Sequence, residues 1–314
     1  MPVRRKRKAT RKRRLPGSRM AGGTASSALK RRTNKREDGP LSGGVVEIDD
    51  STVMTSRVAG HPIPNAFREG EYLHVSDLLG KCTRMIALSD QTGTPIAGES
   101  LWDNMLVTFA IGNAIHDYVR SKVARTSPEE MYGTWKCVCG HHEYKGTYSD
   151  AKRKAPCSKC GKDLTEYHEL VLRNDYYMIV GSVDLTLLFA RAFYFCEIKS
   201  IKKEDWDEIT RPIPLHILQI VFYWWLATEL GLPVHKQVSV LYVTKGHVFG
   251  SPYKEFVIDP TEHLHRLTEY LEDALALKKA KKRKGVLPVR LCPKTDSPQA
   301  KKCEMNSLCF GIKT

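Results

Sequence analysis

The sequence predicts an α/β fold, and three stretches carry that prediction. Residues 181–199, GSVDLTLLFARAFYFCEIK, hold two short runs rich in β-branched and aromatic residues on either side of Ala190-Arg191, the pattern of a β-hairpin. Residues 213–230, IPLHILQIVFYWWLATEL, are apolar almost all round, as a buried helix is. Residues 100–124 place Trp102, Met105, Phe109, Gly112, His116, Val119 and Val123 at steps of three and four, one stripe of an amphipathic helix.

Hydrophobic residues make up 41% of the 314, enough for a packed core in one large domain or two small ones. No run approaches the length of a membrane span and the N-terminus carries no apolar signal segment, so a soluble, intracellular protein is expected. The 9 cysteines cluster rather than forming a disulfide framework, which in a reduced compartment reads as metal binding. The net charge of +15 is uneven: residues 1–44 hold 15 Lys and Arg against 2 Asp and Glu, so +13 lies there and +2 in residues 45–314. A near-neutral fold with a basic tail is therefore expected. The tail, whose first run holds Arg4, Arg5, Lys6, Arg7, Lys8, Arg11, Lys12, Arg13 and Arg14, has almost no apolar content and is expected to be disordered. Three roles suit it: binding nucleic-acid phosphates without regard to sequence, nuclear import, or solubility alone. Residues 45–314 read as one domain, with an insertion at 132–166 and a cysteine-containing C-terminal segment at 291–314.

Taken in order, residues 72–88 read as a short strand or turn leading into a helix that Ser76 or Asp77 caps, with Cys82 inside it. The stripe of 100–124 puts His116 on the buried face, where a histidine is more often a satisfied core residue than a ligand. Gly112, four residues earlier, would let another backbone come close. The insertion reads WKCVCGHHEY, then a Lys-rich polar loop, then APCSKCGKDL. Cys137-x-Cys139 and Cys157-x2-Cys160, each pair followed by Gly, are two knuckles suited to tetrahedral zinc, with His141 or His142 able to replace a cysteine. Such a module either contacts DNA or protein or staples the inserted loop. Strands follow at 167–173, 176–189 and 193–199, with Asn174-Asp175 as the first turn. After the apolar helix come strands near 237–244 and 253–258. A helix at about 261–284 then ends in KKAKKRK, positive charge suited to a helix C-terminus. Cys292, Cys303 and Cys309 cannot complete a four-thiolate site; Cys82 can be the fourth, which leaves Cys196 as a core residue.

The hairpin carries the candidate chemistry. If Ala190 and Arg191 form its tip, residues whose numbers add to 381 face each other, and Asp184 lies opposite Glu197. Lys199 shares the Glu197 face. Two carboxylates at this range repel unless a cation sits between them, and Mg²⁺ or Mn²⁺ suits oxygen ligands. A solvated hairpin end with a salt bridge is the plainer alternative. Ala-Arg is also poor turn chemistry, and a one-residue slip would send the side chains to opposite faces. Gln219 and Tyr223, four apart, share a helix face, and a glutamine in so apolar a helix needs a polar partner.

These residues form a series: G-x3-H (Gly112, His116), G-x2-D (Gly181, Asp184), E-x-K (Glu197, Lys199) and Q-x3-Y (Gln219, Tyr223), on helix, strand, strand and helix. Bracketed by one N-terminal and three C-terminal cysteines, the series resembles the RecB-like iron–sulfur branch of the PD-(D/E)XK nucleases. That group includes CRISPR-associated RecB-like exonucleases, the AddB nuclease domain and exonuclease V. The resemblance covers roughly residues 72–310. It implies a restriction-endonuclease-like core, a mixed central sheet flanked by helices, here with an inserted zinc ribbon and a disordered basic N-terminal tail. It also implies a Mg²⁺- or Mn²⁺-dependent deoxyribonuclease, an exonuclease on single-stranded DNA or DNA ends in replication, recombination or repair. By resemblance, His116, Asp184, Glu197 and the Ile198 carbonyl hold the metal. Lys199 orients the attacking water or offsets charge on phosphorus, and Gln219 and Tyr223 position DNA and the lysine. A [4Fe–4S] cluster on Cys82, Cys292, Cys303 and Cys309 would pin the C-terminal segment to the N-terminal helix, beside Zn²⁺ on Cys137, Cys139, Cys157 and Cys160. DNA and replication or recombination proteins are the implied partners, with no membrane. The implied location is the cytoplasm of a prokaryote or phage-infected host, or the nucleus if the tail is an import signal. Two features depart from the family: the gap Cys292-x10-Cys303 is wider than usual, and the zinc ribbon is not general. The rival class is a non-catalytic zinc-binding nucleic-acid adaptor or accessory protein; intact charges at Asp184, Glu197 and Lys199 argue against it, because a relic has no need of them.

Overall fold

The computed structural model describes residues 63–64, 72–94, 96, 100–101, 103–154, 156–283 and 285–311. The basic segment 1–44, Trp102 and the side chain of Met105 lie outside the described residues. The fold is mixed α/β. The first elements are β1 (Ile63–Pro64), β2 (Leu73–His74), α1 (Val75–Gly80), α2 (Thr83–Thr92), β3 (Ser100–Leu101, antiparallel to β1) and α3 (Asp103–Thr126). The expected single helix after residue 72 is two. Gly80 ends α1, Lys81 is extended, and Cys82 is the N-cap of α2, because glycine is a poor helix former and the chain turns Cys82 out of the helix. His74 rather than Ser76 or Asp77 is the N-cap of α1.

The insertion contains β4 (Met131–Cys137), β5 (Glu143–Thr147), α4 (Tyr148–Lys154) and β6 (Leu164–His168). The polar stretch read as a loop is thus a strand and a helix. Its start is a capping box: the Thr147 hydroxyl donates to Asp150 Oδ2 at 2.8 Å and accepts from the Asp150 N–H at 3.2 Å. The insertion is not a separate module, since Met131 and Tyr132 of β4 pair with Leu187 and Thr186 of the main sheet.

Next come β7 (Leu170–Asn174), β8 (Ile179–Val183), β9 (Leu185–Phe189) and β10 (Ala192–Ile201). The expected strands 167–173 and 176–189 are each broken at an acidic residue: Glu169 separates β6 from β7, and Asp184 separates β8 from β9. Between β7 and β8 the turn is longer than Asn174-Asp175. It runs over 175–178, with the Asn174 side chain accepting from the Tyr177 N–H and Met178 at φ 57°. The chain closes with α5 (Lys203–Glu208), α6 (Pro214–Glu229), β11 (Val238–Thr244), β12 (Tyr253–Ile258), a 3₁₀ turn (Pro260–Arg266), α7 (Leu267–Lys282), α8 (Pro298–Lys301) and α9 (Asn306–Phe310). The expected helix from 261 therefore begins as a 3₁₀ turn.

The large sheet has the order β12-β11-β10-β9-β4-β5, with β6 also on β4; β2, β8 and β7 form a second sheet. β10 is antiparallel to β9 and parallel to β11, which α5 and α6 make possible by crossing back between them. The hairpin register is Ala192 with Phe189 through Cys196 with Leu185, each pair adding to 381. Ala190 and Arg191 at its tip sit at φ 48° and 66°, the left-handed pair that a two-residue hairpin turn demands. Leu218, Ile220, Val221, Phe222 and Leu226 bury α6 against a cluster that includes Leu172, Ile179, Phe195 and Val240 from both sheets. Each such side chain contributes about 1.5–3 kcal/mol by leaving water. A second cluster joins Val119 of α3 to Met131, Trp135, Leu185, Cys196 and Ile198. Alternation along β10 thus sends Phe195 to one core and Cys196 and Ile198 to the other, with Glu197 on the Phe195 side. Cys196, at 5% exposed, is the core residue expected. Among the described residues, no helix is long and apolar enough to cross a membrane.

Candidate active site and cysteine sites

A cavity of about 600 Å³ opens beside the end of β8 and the middle of β10. His116, Asp184, Glu197, Lys199, Gln219 and Tyr223 all line it. α3 supplies His116, the β8–β9 break Asp184, β10 the E-x-K pair, and α6 the Q-x3-Y pair. Ile198 points away into the second core, but its N–H donates to Asp184 Oδ2 at 2.9 Å. His116 Nδ1 lies 3.6 Å from Asp184 Oδ1. The α3 stripe is less buried than its period suggested: Phe109 is 51% exposed. Gly112 meets a side chain rather than a backbone, since a Cβ there would stand 3.2 Å from Ser200 Oγ.

The charges are arranged unequally. Glu197 is 1% exposed; Lys199 Nζ lies 2.6 Å from its Oε1, and its buried Oε2 has no hydrogen-bond partner among the described residues. Burial pushes the Glu197 carboxyl up to about 8, with the Asp184 charge adding to the rise and Lys199 opposing it. Burial also works to raise Asp184, but His116, Lys199 and the Ile198 N–H outweigh it and hold the group below the usual carboxylate range. Burial works to lower Lys199, and the charges of Glu197 and Asp184 outweigh it to keep the ammonium form. The Gln219 amide donates to the Tyr223 hydroxyl at 2.9 Å, the polar partner that the glutamine required. The Tyr223 ring packs on Gly181, where a Cβ would come within 2.6 Å of it. The glycine of G-x2-D and the tyrosine of Q-x3-Y therefore depend on each other sterically.

Two further residues of the cavity escaped the sequence reading. Arg120 donates through Nε to the Asp184 carbonyl at 2.9 Å, stands 3.4 Å from Asp184 Oδ1 and pairs with Glu169. Glu169 also lines the cavity, its carboxyl raised by burial and then by Asp184, with Arg120 opposing. The signal for Arg120 was present: it is one helical turn after His116, on the same face. Glu169 had none beyond being a charge amid a strand pattern.

The cysteines form two sets. Cys137, Cys139, Cys157 and Cys160 bring their sulfurs within 4.8 Å of one another; His141 and His142 are not among them. Gly140 and Gly161, at φ 68° and 67°, turn the two knuckles. The Cys160 and Lys159 N–H groups point at Cys157 and bring its thiol down to about 6, whereas on Cys137 the Cys139 N–H works downward but Cys160 and burial outweigh it and push the thiol up to about 12. Cys82, Cys292, Cys303 and Cys309 line a separate cavity of about 570 Å³ between α2 and the C-terminal segment. Among the described residues, only the first set is drawn together so tightly.

No protein-family model matches the chain, and no curated protein matches it by sequence. By structure the chain is similar to SSO0001, at 15% identity and TM-score 0.37, over 80% of this chain and 91% of that one. It is also similar to an alkaline exonuclease, LHK-Exo, from Laribacter hongkongensis, at 11% identity and TM-score 0.37, over 68% of this chain and 90% of that one. The same enzyme in complex with dAMP matches at 12% identity and TM-score 0.38.

Proposed function

We propose that this chain is a Mg²⁺- or Mn²⁺-dependent deoxyribonuclease with a restriction-endonuclease-like core, of the RecB-like iron–sulfur type, trimming single-stranded DNA or DNA ends. The observation that carries the reading is the buried Oε2 of Glu197, without a hydrogen-bond partner among the described residues, in the cavity that also holds Asp184, His116 and Lys199. A buried carboxylate oxygen without a partner is costly, and a hard divalent cation satisfies it together with Asp184. The donor set fits such an ion: His116, Asp184, Glu197 and the Ile198 carbonyl would hold it. Bound there, it would polarise a phosphodiester and make its water more acidic.

The chain's own residues do the rest. Lys199, charged and 2.6 Å from Glu197, orients the attacking water or offsets charge on the phosphorus. Arg120 fixes the Asp184 carboxylate and its carbonyl in place. The Gln219–Tyr223 pair presents a hydroxyl to the cavity, kept protonated because burial and then Glu197 raise its pKa well above that of a free tyrosine. The two cysteine sets fit different groups. Thiolates within 4.8 Å suit a single tetrahedral Zn²⁺, whose bonds to sulfur are about 2.3 Å. The wider set, around a cavity of about 570 Å³, fits a [4Fe–4S] cluster in a structural role.

The test is digestion of end-labelled linear and circular single-stranded DNA in Mn²⁺, wild type beside Asp184→Ala, Glu197→Ala and Lys199→Ala. Wild-type protein is expected to degrade the linear strand. Each variant should lose cleavage by roughly 10²-fold or more while retaining fold and DNA binding. Undiminished cleavage by the Glu197 variant would overturn the assignment.

A further inference from the structure

Among the described residues, four carboxylates line the active-site cavity: Asp117, Glu169, Asp184 and Glu197. Three of them converge on one guanidinium. Arg120 Nη1 stands 3.6 Å from Asp117 Oδ1, while Nη2 pairs with Glu169 and stands 3.4 Å from Asp184 Oδ1. Its Nε donates to the Asp184 carbonyl at 2.9 Å, and the group lies over the Tyr167 ring at 5.6 Å. All three nitrogens are therefore committed, and the side chain is only 14% exposed. The fourth carboxylate, Glu197, pairs instead with Lys199. A guanidinium is a permanent charge, so Arg120 is a cation built into the centre.

The formal charges bear on how many divalent ions the cavity can hold. Metal binding requires ionised carboxylates. Four of them, less the charges of Arg120 and Lys199 and with the histidines counted as neutral, leave −2. One divalent ion cancels that charge. Where two ions share a hydrolytic site they lie about 3.5–4 Å apart. A second ion here would therefore lean on Asp184 and on the next carboxylate beside it, Glu169. The guanidinium already stands against both. We propose that Arg120 takes the place of a second divalent ion, so that the centre binds a single Mg²⁺ or Mn²⁺. Arg120 is then a positioning residue that also sets the metal count. The inference rests on the nuclease reading for the first ion, and it is tested by counting ions as well as by rate.

The experiment titrates Mn²⁺ into the full chain and counts bound ions from the electron paramagnetic resonance signal of the free ion. Thiolates prefer softer metals, so the cysteine sets do not enter the count. Wild type should hold about one tight Mn²⁺, absent from Asp184→Ala, and its cleavage rate should rise in first order with Mn²⁺. Arg120→Ala should hold about two, and adding Glu169→Gln to it should restore about one. Arg120→Lys, which keeps the charge, should stay at about one. Two tight ions in wild type, or a second-order dependence of its rate on Mn²⁺, overturns the inference and leaves the nuclease reading standing. A folded Arg120→Ala protein that still holds one ion also overturns it. If that variant does not fold, the wild-type count and rate order decide. A wild type with no Mn²⁺ that depends on Asp184 sinks the metal-nuclease reading itself, and the inference with it.

Discussion

At the residue scale, the contact between Gly181 and Tyr223 explains why two weak motifs belong together. A methyl group at position 181 would stand 2.6 Å from the tyrosine ring, too near for either to remain. Gly181→Ala should therefore displace Tyr223 and its bond to Gln219, at about 1–3 kcal/mol of stability. It should lower cleavage while leaving the metal content of the protein unchanged. Thermal unfolding, metal content and cleavage rate, measured together, check this. His216 gives a pH signature. Its Nδ1 is 2.8 Å from the Tyr242 hydroxyl, which also accepts from the Ile213 N–H. Burial, then the charge of Lys199, lowers its pKa from 6.5 to about 4. The unfolded chain therefore takes up a proton that the folded chain refuses. The stability linked to this group is complete above about pH 6.5 and is lost as pH falls toward about 4. In His216→Gln the fall in unfolding temperature between those values should be shallower; an identical slope would remove His216 from the account.

At the element scale, much was legible. The hairpin, the apolar helix α6 and strands β11 and β12 were readable because period and composition agreed in each. The hairpin register followed from a two-residue tip even though Ala190 and Arg191 are poor residues for it. Three features were hidden for physical reasons. Glu169 and Asp184 break strands that the apolar pattern runs straight through, because cavity-lining geometry overrides propensity there. The helix α4 was masked by its lysines, although the T-x2-D of Thr147 and Asp150 announced its start. The pairing of β4 with β9 is a long-range contact that no local pattern encodes. The two cysteine sets belong to different elements and should lose metal independently. Anaerobic protein with Cys82→Ser should lack iron and keep zinc, and Cys157→Ser the reverse, by elemental analysis. Two zincs and no iron in the wild type would make the Cys82 set a second zinc site.

For the whole molecule, the candidate site was legible as a series of polar residues, and Arg120 could have been added to it from its place one helical turn after His116; Glu169 was not legible, since it joins the site only through tertiary packing. Charge distribution supplies a separate prediction. With +13 of +15 in residues 1–44, deleting them should act on affinity. Counterion release makes binding fall by roughly one log unit per phosphate contact for each tenfold rise in salt. The truncated chain should show a flatter salt slope and weaker binding at low salt, with turnover on saturating DNA unchanged. A full slope after truncation would contradict this, and so would collapsed turnover. Where a fluorescent fusion of residues 1–44 accumulates in a eukaryotic cell decides the question of import.

The two-residue tip at Ala190 and Arg191 also constrains how this gene can vary. Its composition is free within the demands of the turn, but its parity is not. The gain or loss of a single codon between Phe189 and Ala192 would rotate β10 by one face, turning Glu197 and Lys199 toward the apolar layer of Cys196 and Ile198. Replacement of the tip is a neutral path for descent; an odd change in its length is a null allele.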